Sequence, residues 1–229
     1  MISRIPYTLR SLNLRKLGLT ALIALSISAC GPLIDVGGKG APPSLYSLSP
    51  ADVSASPASL SDQTLIVAEP EAFAVLDTRK IALMPESREF SFYAGAEWVD
   101  RAPRMIQSLL ITSFEEAGIF KDVGAENMPL AASYRLTIGL RAFNTDYTVQ
   151  NGPVVKVTMM ARLFKTRALD LVDSKLITVS LPVGSDSMAK IIATFDRANR
   201  QAMTEIVNWT IESISGPGPD SEADQSTAP

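Results

Sequence analysis

Residues 134–164, YRLTIGLRAFNTDYTVQNGPVVKVTMMARLF, decide the fold of this chain. Apolar and polar residues alternate on both sides of the turn Asn151-Gly152-Pro153. The apolar positions are Tyr134, Leu136, Ile138, Leu140 and Ala142 before the turn, and Val155, Val157, Met159, Ala161 and Leu163 after it. A period of two is typical of strands with one buried face, and a short turn between two such runs predicts an antiparallel pair.

The flanking sequence adds further strands and two helices. Apolar runs of strand length occupy residues 64–68, 80–84, 90–93 and 177–181, whereas residues 103–117 and 187–214 repeat apolar side chains at helical spacing. Gly118 is placed as the stop of the first helix. Each helix has one apolar side, so both should lie on a sheet. This order predicts a single α+β domain, with a largely antiparallel sheet and two main helices packed on it.

The amino-terminal residues have the layout of a bacterial lipoprotein signal. Residues 1–16 contain four cations and no acidic residue, and an apolar run at 17–27 leads to Ser28-Ala29-Cys30-Gly31. Eleven helical residues reach only about half of a bilayer core of about 30 Å, so this run is a poor permanent span. We predict cleavage between Ala29 and Cys30 and lipidation of Cys30, the only cysteine of the chain.

These features divide the chain into four parts. We predict a lipoprotein signal peptide at 1–29, a lipidated N-terminus and flexible tether at 30–63, a folded domain at 64–214 and a disordered tail at 215–229. Removing the signal leaves 21 − 4 = 17 basic and 24 acidic residues, a net charge of −7. A chain this acidic is a poor ligand for nucleic acid, so we expect no nucleic-acid partner.

The residue inventory disfavours catalysis. The chain has no histidine, which removes the common Ser-His and Cys-His arrangements, and acylation of Cys30 would leave no thiolate for a metal. Ser187-Met188-Ala189-Lys190 matches the S-x-x-K signature of periplasmic acyl-transfer enzymes, but the S-D-N and K-T-G elements that accompany it are missing. Asp186 or Ser187 as a helix N-cap explains the same residues. We therefore expect a protein that is not an enzyme, with no catalytic residue, metal or cofactor.

Aromatic residues gather at one place. Phe90, Phe92, Tyr93 and Trp98 lie within nine residues of one another. Burial in the core explains most such clusters. The alternative is that Tyr93 and Trp98 line an exposed surface that contacts a lipid or a partner protein, since aromatic residues are enriched at the centres of interfaces.

An ordered set of segments resembles a known family. The set comprises IAL at 81–83, FSFYAGAEWVD at 90–100 and EAGIF at 116–120. The lipoprotein cleavage motif that ends at Cys30, the segment LYSL at 45–48, and residues 134–143 and 198–209 fit in the same order. It resembles the ABC-type transport auxiliary lipoprotein family, to which the PqiC lipoproteins belong, over residues 45–214.

The resemblance implies a periplasmic accessory subunit of an MCE-type lipid transport system. Its implied partners are an MCE-domain protein with the ABC permease and ATPase, and the family brings no catalytic residues. Gly31 after the cysteine favours the outer membrane, on its periplasmic face, over the inner membrane. A lipid carrier whose sheet and helices enclose lipid is the alternative, and the sequence leaves a homo-oligomer open.

Overall fold

The computed structural model of the chain describes residues 42–53, 60–129 and 131–216. Over these residues it contains nine strands and two helices. They are β1 (Ser44–Tyr46), β2 (Leu60–Val67), β3 (Glu71–Ala72), β4 (Lys80–Met84), β5 (Ser91–Trp98), α1 (Ala102–Ala117), β6 (Phe120–Ala125), β7 (Tyr134–Asp146), β8 (Val154–Lys165), β9 (Asp170–Pro182) and α2 (Met188–Ser215).

The predicted hairpin is present. β7 and β8 form an antiparallel ladder from Tyr134 opposite Lys165 to Asp146 opposite Val154. β9 then adds antiparallel to β8 along the length of both strands. The prediction of one α+β domain, with two helices on a sheet dominated by long antiparallel ladders, is confirmed.

The other edge of β7 holds shorter parallel pairings, so the sheet is mixed. β2, β3 and β4 lie along this edge one after another, each parallel to β7. β6 pairs parallel with β2. β5 pairs antiparallel with β4, and β1 pairs parallel with the other edge of β5. Parallel strands are connected by long crossovers and not by tight turns. The sequence therefore contains no hairpin-turn pattern from which these parallel pairs could be predicted.

Both helices cover the same side of the sheet. α2 lies over β8 and β9, where Val155, Val157, Met159, Ala161 and Leu163 have no exposed surface. α1 lies over β2 and β6, and its Phe114 ring meets Phe120 edge to face at 5.8 Å between ring centres. Side chains from both helices and from the sheet form one continuous core.

The folded domain begins earlier than the predicted boundary at residue 64. β1 pairs with β5, and Leu48 and Ala51 are buried. The backbone N–H of Ala51 donates to Ser113 Oγ of α1 at 2.8 Å, and that of Ser49 donates to Asp196 Oδ1 of α2 at 2.7 Å. The prediction that all of 30–63 is tether is therefore wrong for these residues, because the segment pairs with β5 and bonds to both helices.

Other strand boundaries differ as well, since β2 begins at Leu60 and β9 covers Asp170–Pro182, and several predictions lie outside the described residues. The strand predicted at 90–93 starts at Ser91 and continues to Trp98, while Phe90 is exposed. The signal peptide, the cleavage site at Ala29 and Cys30, and the tail beyond Gly216 are not among the described residues. No helix in the described part of the chain is long and apolar enough to cross a membrane.

Candidate functional site

Trp98, one of the two proposed contact residues, lies in the core. Its side chain is 1% exposed and packs against Phe143 of β7 and Phe195 of α2, with ring centres 5.5 and 5.3 Å away. Phe143 and Phe195 also contact each other at 5.3 Å, which closes a three-ring cluster. Trp98 therefore joins sheet and helix, and the alternative of an exposed contact surface does not hold for it.

Tyr93 takes part in a polar chain at the margin of the core. The Tyr147 hydroxyl donates to Asp186 Oδ1 at 3.3 Å, so the Tyr93 hydroxyl, 3.1 Å from the Tyr147 oxygen, is the donor of that pair. Burial raises the pKa of Tyr93. This chain ties β5 to the turn after β7 and to the loop before α2, and Tyr93 remains half-buried.

Ser187 and Lys190 stand at the start of α2. Ser187 is the N-cap residue by position, but its side chain makes no capping hydrogen bond; its Oγ lies 3.3 Å from Ser185 Oγ. Both side chains are exposed. The described residues show no hydrogen bond between the Ser187 hydroxyl and the Lys190 amine, which a serine nucleophile activated by lysine requires.

Three of the surface clefts formed by the described residues are open to solvent, and each has charged side chains in its lining. Their volumes are about 630, 480 and 440 Å³. The first lies beside the β8–β9 turn, the second beside α1 and β6, and the third between β9 and α2. Representative lining residues are Ser133, Lys165 and Arg167 for the first, Arg104, Gln107 and Glu126 for the second, and Lys175, Glu205 and Trp209 for the third.

The described residues hold no group of three Asp, Glu, Cys or His side chains placed to bind a metal. Charged residues near α1 are instead engaged in pairing. Arg101 contacts Glu69 at 2.7 Å and Asp77 at 2.6 Å, which fixes the start of α1 against the segments that follow β2 and β3. These ion pairs are partly exposed and serve structure.

The side of the β7–β8–β9 ladder that faces away from α1 and α2 carries no helix in the described part of the chain, and we call it the open face. Cross-strand partners there include Met160 opposite Leu176 and Phe164 opposite Leu171. Leu176 and Leu171 are 54% and 53% exposed. Polar side chains occupy the rest of it, among them Arg135, Thr137, Lys156, Arg162, Ser174 and Thr178.

Sequence reasoning missed the open face, although a signal existed. Strand alternation predicts polar side chains at the outward positions of β8 and β9, but Met160 follows Met159 and Leu176 precedes Ile177. Both residues interrupt the alternation on the solvent side. Leu169, in the turn between the strands, is 77% exposed with a φ of 57°. The β8–β9 hairpin therefore presents apolar side chains to solvent along its face and at its tip.

Comparisons with solved structures find the same fold in other proteins. A protein of Xanthomonas campestris matches with a TM-score of 0.66 and 28% identity, over 80% of this chain and 100% of that one. An uncharacterized protein of known structure matches with a TM-score of 0.59 and 12% identity, over 74% and 99%. The second likeness shows the fold alone.

The family follows from the sequence match. The model of the ABC-type transport auxiliary lipoprotein component matches residues 46–207, and the chain belongs to this family. An uncharacterized protein of Bradyrhizobium diazoefficiens is 28% identical over 153 residues. That match covers 66% of this chain and 40% of the Bradyrhizobium protein. The predicted family is confirmed.

Proposed function

We propose that this protein is a lipid-anchored periplasmic accessory subunit of an ABC/MCE-type intermembrane lipid transport system. It docks the MCE-domain protein, with its permease and ATPase, to the outer membrane. Family membership is the observation that carries the proposal. The lipoprotein signal at residues 1–30 supports the anchor at Cys30, and Gly31 supports the outer membrane.

The absence of an evident reaction centre in the described residues favours a docking role over catalysis. In the described residues the Ser187 hydroxyl and the Lys190 amine share no hydrogen bond, although the backbone N–H of Lys190 donates to the Ser187 carbonyl at 2.9 Å as part of the helix. The enzyme alternative therefore rests on a four-residue pattern alone.

The packed interior disfavours the carrier alternative. A carrier needs an apolar cavity for an acyl chain, yet the core face of β8 is filled by side chains with no exposed surface beneath α2. The three clefts described above are open at the surface, with charged side chains such as Lys165, Arg104 and Lys175 in their linings, and do not enclose an acyl chain. Lipid passing through the MCE protein, with this subunit holding it in place, agrees better with a solid core.

The test uses the native gene fused to a C-terminal tag. We expect an alkyne-labelled fatty acid to enter the protein, and the Cys30→Ser variant to remain unlabelled. The labelled protein should fractionate with the outer membrane, and a Gly31→Asp variant should move toward the inner membrane. Purification in mild detergent should retain the MCE-domain protein. Recovery of the lipidated protein without any MCE protein contradicts the docking role, and a stoichiometric bound lipid in native mass spectrometry favours the carrier.

A further inference from the structure

β9 is an edge strand, because within the described residues it pairs with β8 and with no other strand. The backbone N–H of Val183 donates to the Pro153 carbonyl at 2.9 Å, and opposite residues of an antiparallel ladder exchange such bonds at every second pair. From residue 173 to residue 181, the odd-numbered residues of β9 therefore bond to β8. The even-numbered residues are exposed and direct their N–H and C=O groups outward; they are Ser174, Leu176, Thr178 and Ser180.

This outer edge lacks the features that usually protect a free strand. Prolines, bulges and charged side chains are the common devices. Pro182 lies at the end of β9 and the register irregularity lies near its start, so residues 174–181 contain neither. The Lys175 amine is engaged by the Glu205 carboxylate of α2 at 3.1 Å. Leu176 adds an apolar side chain that is 54% exposed. The edge is therefore able to pair with a further strand.

α2 runs beside this edge, antiparallel to β9. The ion pair of Lys175 with Glu205 and the hydrogen bond from Trp209 to Asp173 join the two elements. Four residues of a helix rise about 6 Å and two residues of a strand about 6.8 Å, so α2 and β9 are nearly aligned. Glu205 and Trp209 also line the cleft of about 440 Å³ between β9 and α2. The edge of the strand and the flank of the helix thus form one continuous surface.

We propose that β9 pairs antiparallel with β9 of a second copy, about a twofold axis at Ile177. This register places Leu176 opposite Thr178 of the second copy and Ser174 opposite Ser180 of the second copy. All four outward-facing residues are then paired, which gives about eight backbone hydrogen bonds. The Leu176 side chains of the two copies become diagonal neighbours within reach of each other. A shift of the axis by one residue either way would place one of these residues opposite the terminal proline or the irregular start of β9.

The helices fit this arrangement. α2 lies over β8 and β9, so its axis is about 2.4 Å inside β9, half of a strand spacing of about 4.8 Å. The twofold axis lies about 2.4 Å outside β9 for the same reason. The axes of the two α2 helices are then about 9.6 Å apart, within the range of about 8–10 Å for packed helices.

The area of this contact suits a specific interface. The shared flank is about 20 Å deep, one helix of about 10 Å on a sheet layer of about 10 Å, and about 27 Å long over eight strand residues. That is about 540 Å² per copy and about 1,100 Å² in total, above the roughly 1,000 Å² expected of a biological interface.

Charges on α2 complement each other across the same axis. Gln201 is four residues before Glu205 and therefore lies level with the axis. Lys190 and Glu212 are each eleven residues from Gln201, about three turns, so they share its side of the helix. Both are exposed and have no ion pair among the described residues. Lys190 meets Glu212 of the second copy, and Arg197 meets Glu205 of the second copy. This self-complementary pattern favours a second copy over an unrelated strand.

The first experiment measures disulfide formation in cells that produce the full-length lipoprotein, whose natural cysteine is Cys30 alone. Two differently tagged copies, Leu176→Cys and Thr178→Cys, should crosslink on oxidation, because opposite Cα atoms lie about 5.5 Å apart. Leu176→Cys paired with itself should crosslink at least about fivefold less, since its Cα atoms are then about 8 Å apart. Met128→Cys paired with Thr178→Cys is the control for chance collision, because Met128 is 48% exposed in the turn after β6.

The second experiment reverses charges on α2 in the crosslinking pair. Lys190→Glu should reduce the crosslink at least about threefold, because it places two acids opposite each other at both ends of the contact. Adding Glu212→Lys to the same chain should restore the crosslink. These two side chains are about 33 Å apart along one helix, so restoration requires two antiparallel copies. Thermal unfolding should be the same for both variants, which are changed at exposed positions.

The inference goes beyond the docking function and is tested apart from it. The crosslink between Leu176→Cys and Thr178→Cys should persist in cells that lack the MCE-domain protein, and its loss there overturns a direct contact between copies. Equal yields for the matched pair and the Met128→Cys control, a crosslink to a different protein in place of the second copy, or a failure of Glu212→Lys to restore the crosslink also overturns the proposal.

Discussion

The indole N–H of Trp209 donates a 2.7 Å hydrogen bond to Oδ2 of Asp173, which joins the end of α2 to the start of β9. Ser213 Oγ donates to the same oxygen at 3.2 Å, and the backbone N–H of Ser174 donates to the other at 2.7 Å. Burial alone would raise the pKa of Asp173. These hydrogen bonds and the charge of Lys175 outweigh burial, so the pKa lies below its ordinary value.

This carboxylate should make stability depend on acid pH. With a lowered native pKa, the stabilisation is complete above the unfolded value of about 3.9 and is lost as pH falls through the native pKa, because the unfolded state binds more protons. Trp209→Phe should lower the free energy of unfolding at neutral pH by about 1–2 kcal/mol and make its acid decline shallower. Urea unfolding between pH 7 and pH 3 measures both effects. Asp170→Asn, at an exposed position of β9, is the control, and an unchanged acid decline in Trp209→Phe contradicts the assignment.

Replacing Trp98 should lower the stability of the fold before it affects partner binding. Its ring is enclosed by Phe143 and Phe195, so Trp98→Ala leaves a cavity and should cost about 3–5 kcal/mol. Phe90→Ala is the comparison, since Phe90 is 41% exposed and its loss should change little. Thermal unfolding of both variants measures the difference. Lost partner binding with an unchanged melting temperature in Trp98→Ala would restore the contact hypothesis.

Gly118 should be intolerant of side chains for a conformational reason alone. It ends α1 with a φ of 64°, and a Cβ there would meet no atom within 4 Å. Gly118→Ala should therefore cost about 1 kcal/mol through backbone strain, and Gly118→Asn should cost less. Gly184→Ala is the matched control, because that site is equally open without a left-handed φ. Equal stability of the two alanine variants in urea unfolding argues against strain at Gly118.

The hairpin and the helices could be predicted because their signals are local. Tyr134 to Leu163 repeats with period two around a turn, and Gly118 marks a helix end. β6 was missed, since only Phe120 and Val123 in it have large apolar side chains, and its position depends on β2, more than fifty residues earlier. Parallel pairing depends on such distant neighbours, and no periodicity within one segment reveals them.

The candidate site was less predictable than the fold. Met160 and Leu176 interrupt the polar side of their strands, but the sequence does not say which side of a sheet the helices leave uncovered. Trp98 has the residue type of an interface centre, and only its packing against Phe143 and Phe195 assigns it to the core. Residue type alone suggested a partner contact for Trp98. Which side chains are exposed to solvent depends on how the strands and helices pack, and the sequence does not give that packing.

Leu45 and Leu48, three residues apart, test where the folded domain begins. Leu48 is 6% exposed and packs in the core, while Leu45 is 54% exposed on β1. Leu48→Ala should lower the free energy of unfolding by about 2–3 kcal/mol, and Leu45→Ala by less than about 0.5 kcal/mol. Urea unfolding of the mature chain compares them directly. If both variants lose a similarly small free energy of unfolding, the segment before residue 64 contributes nothing to the core. The folded domain would then begin at residue 64, as the sequence predicts.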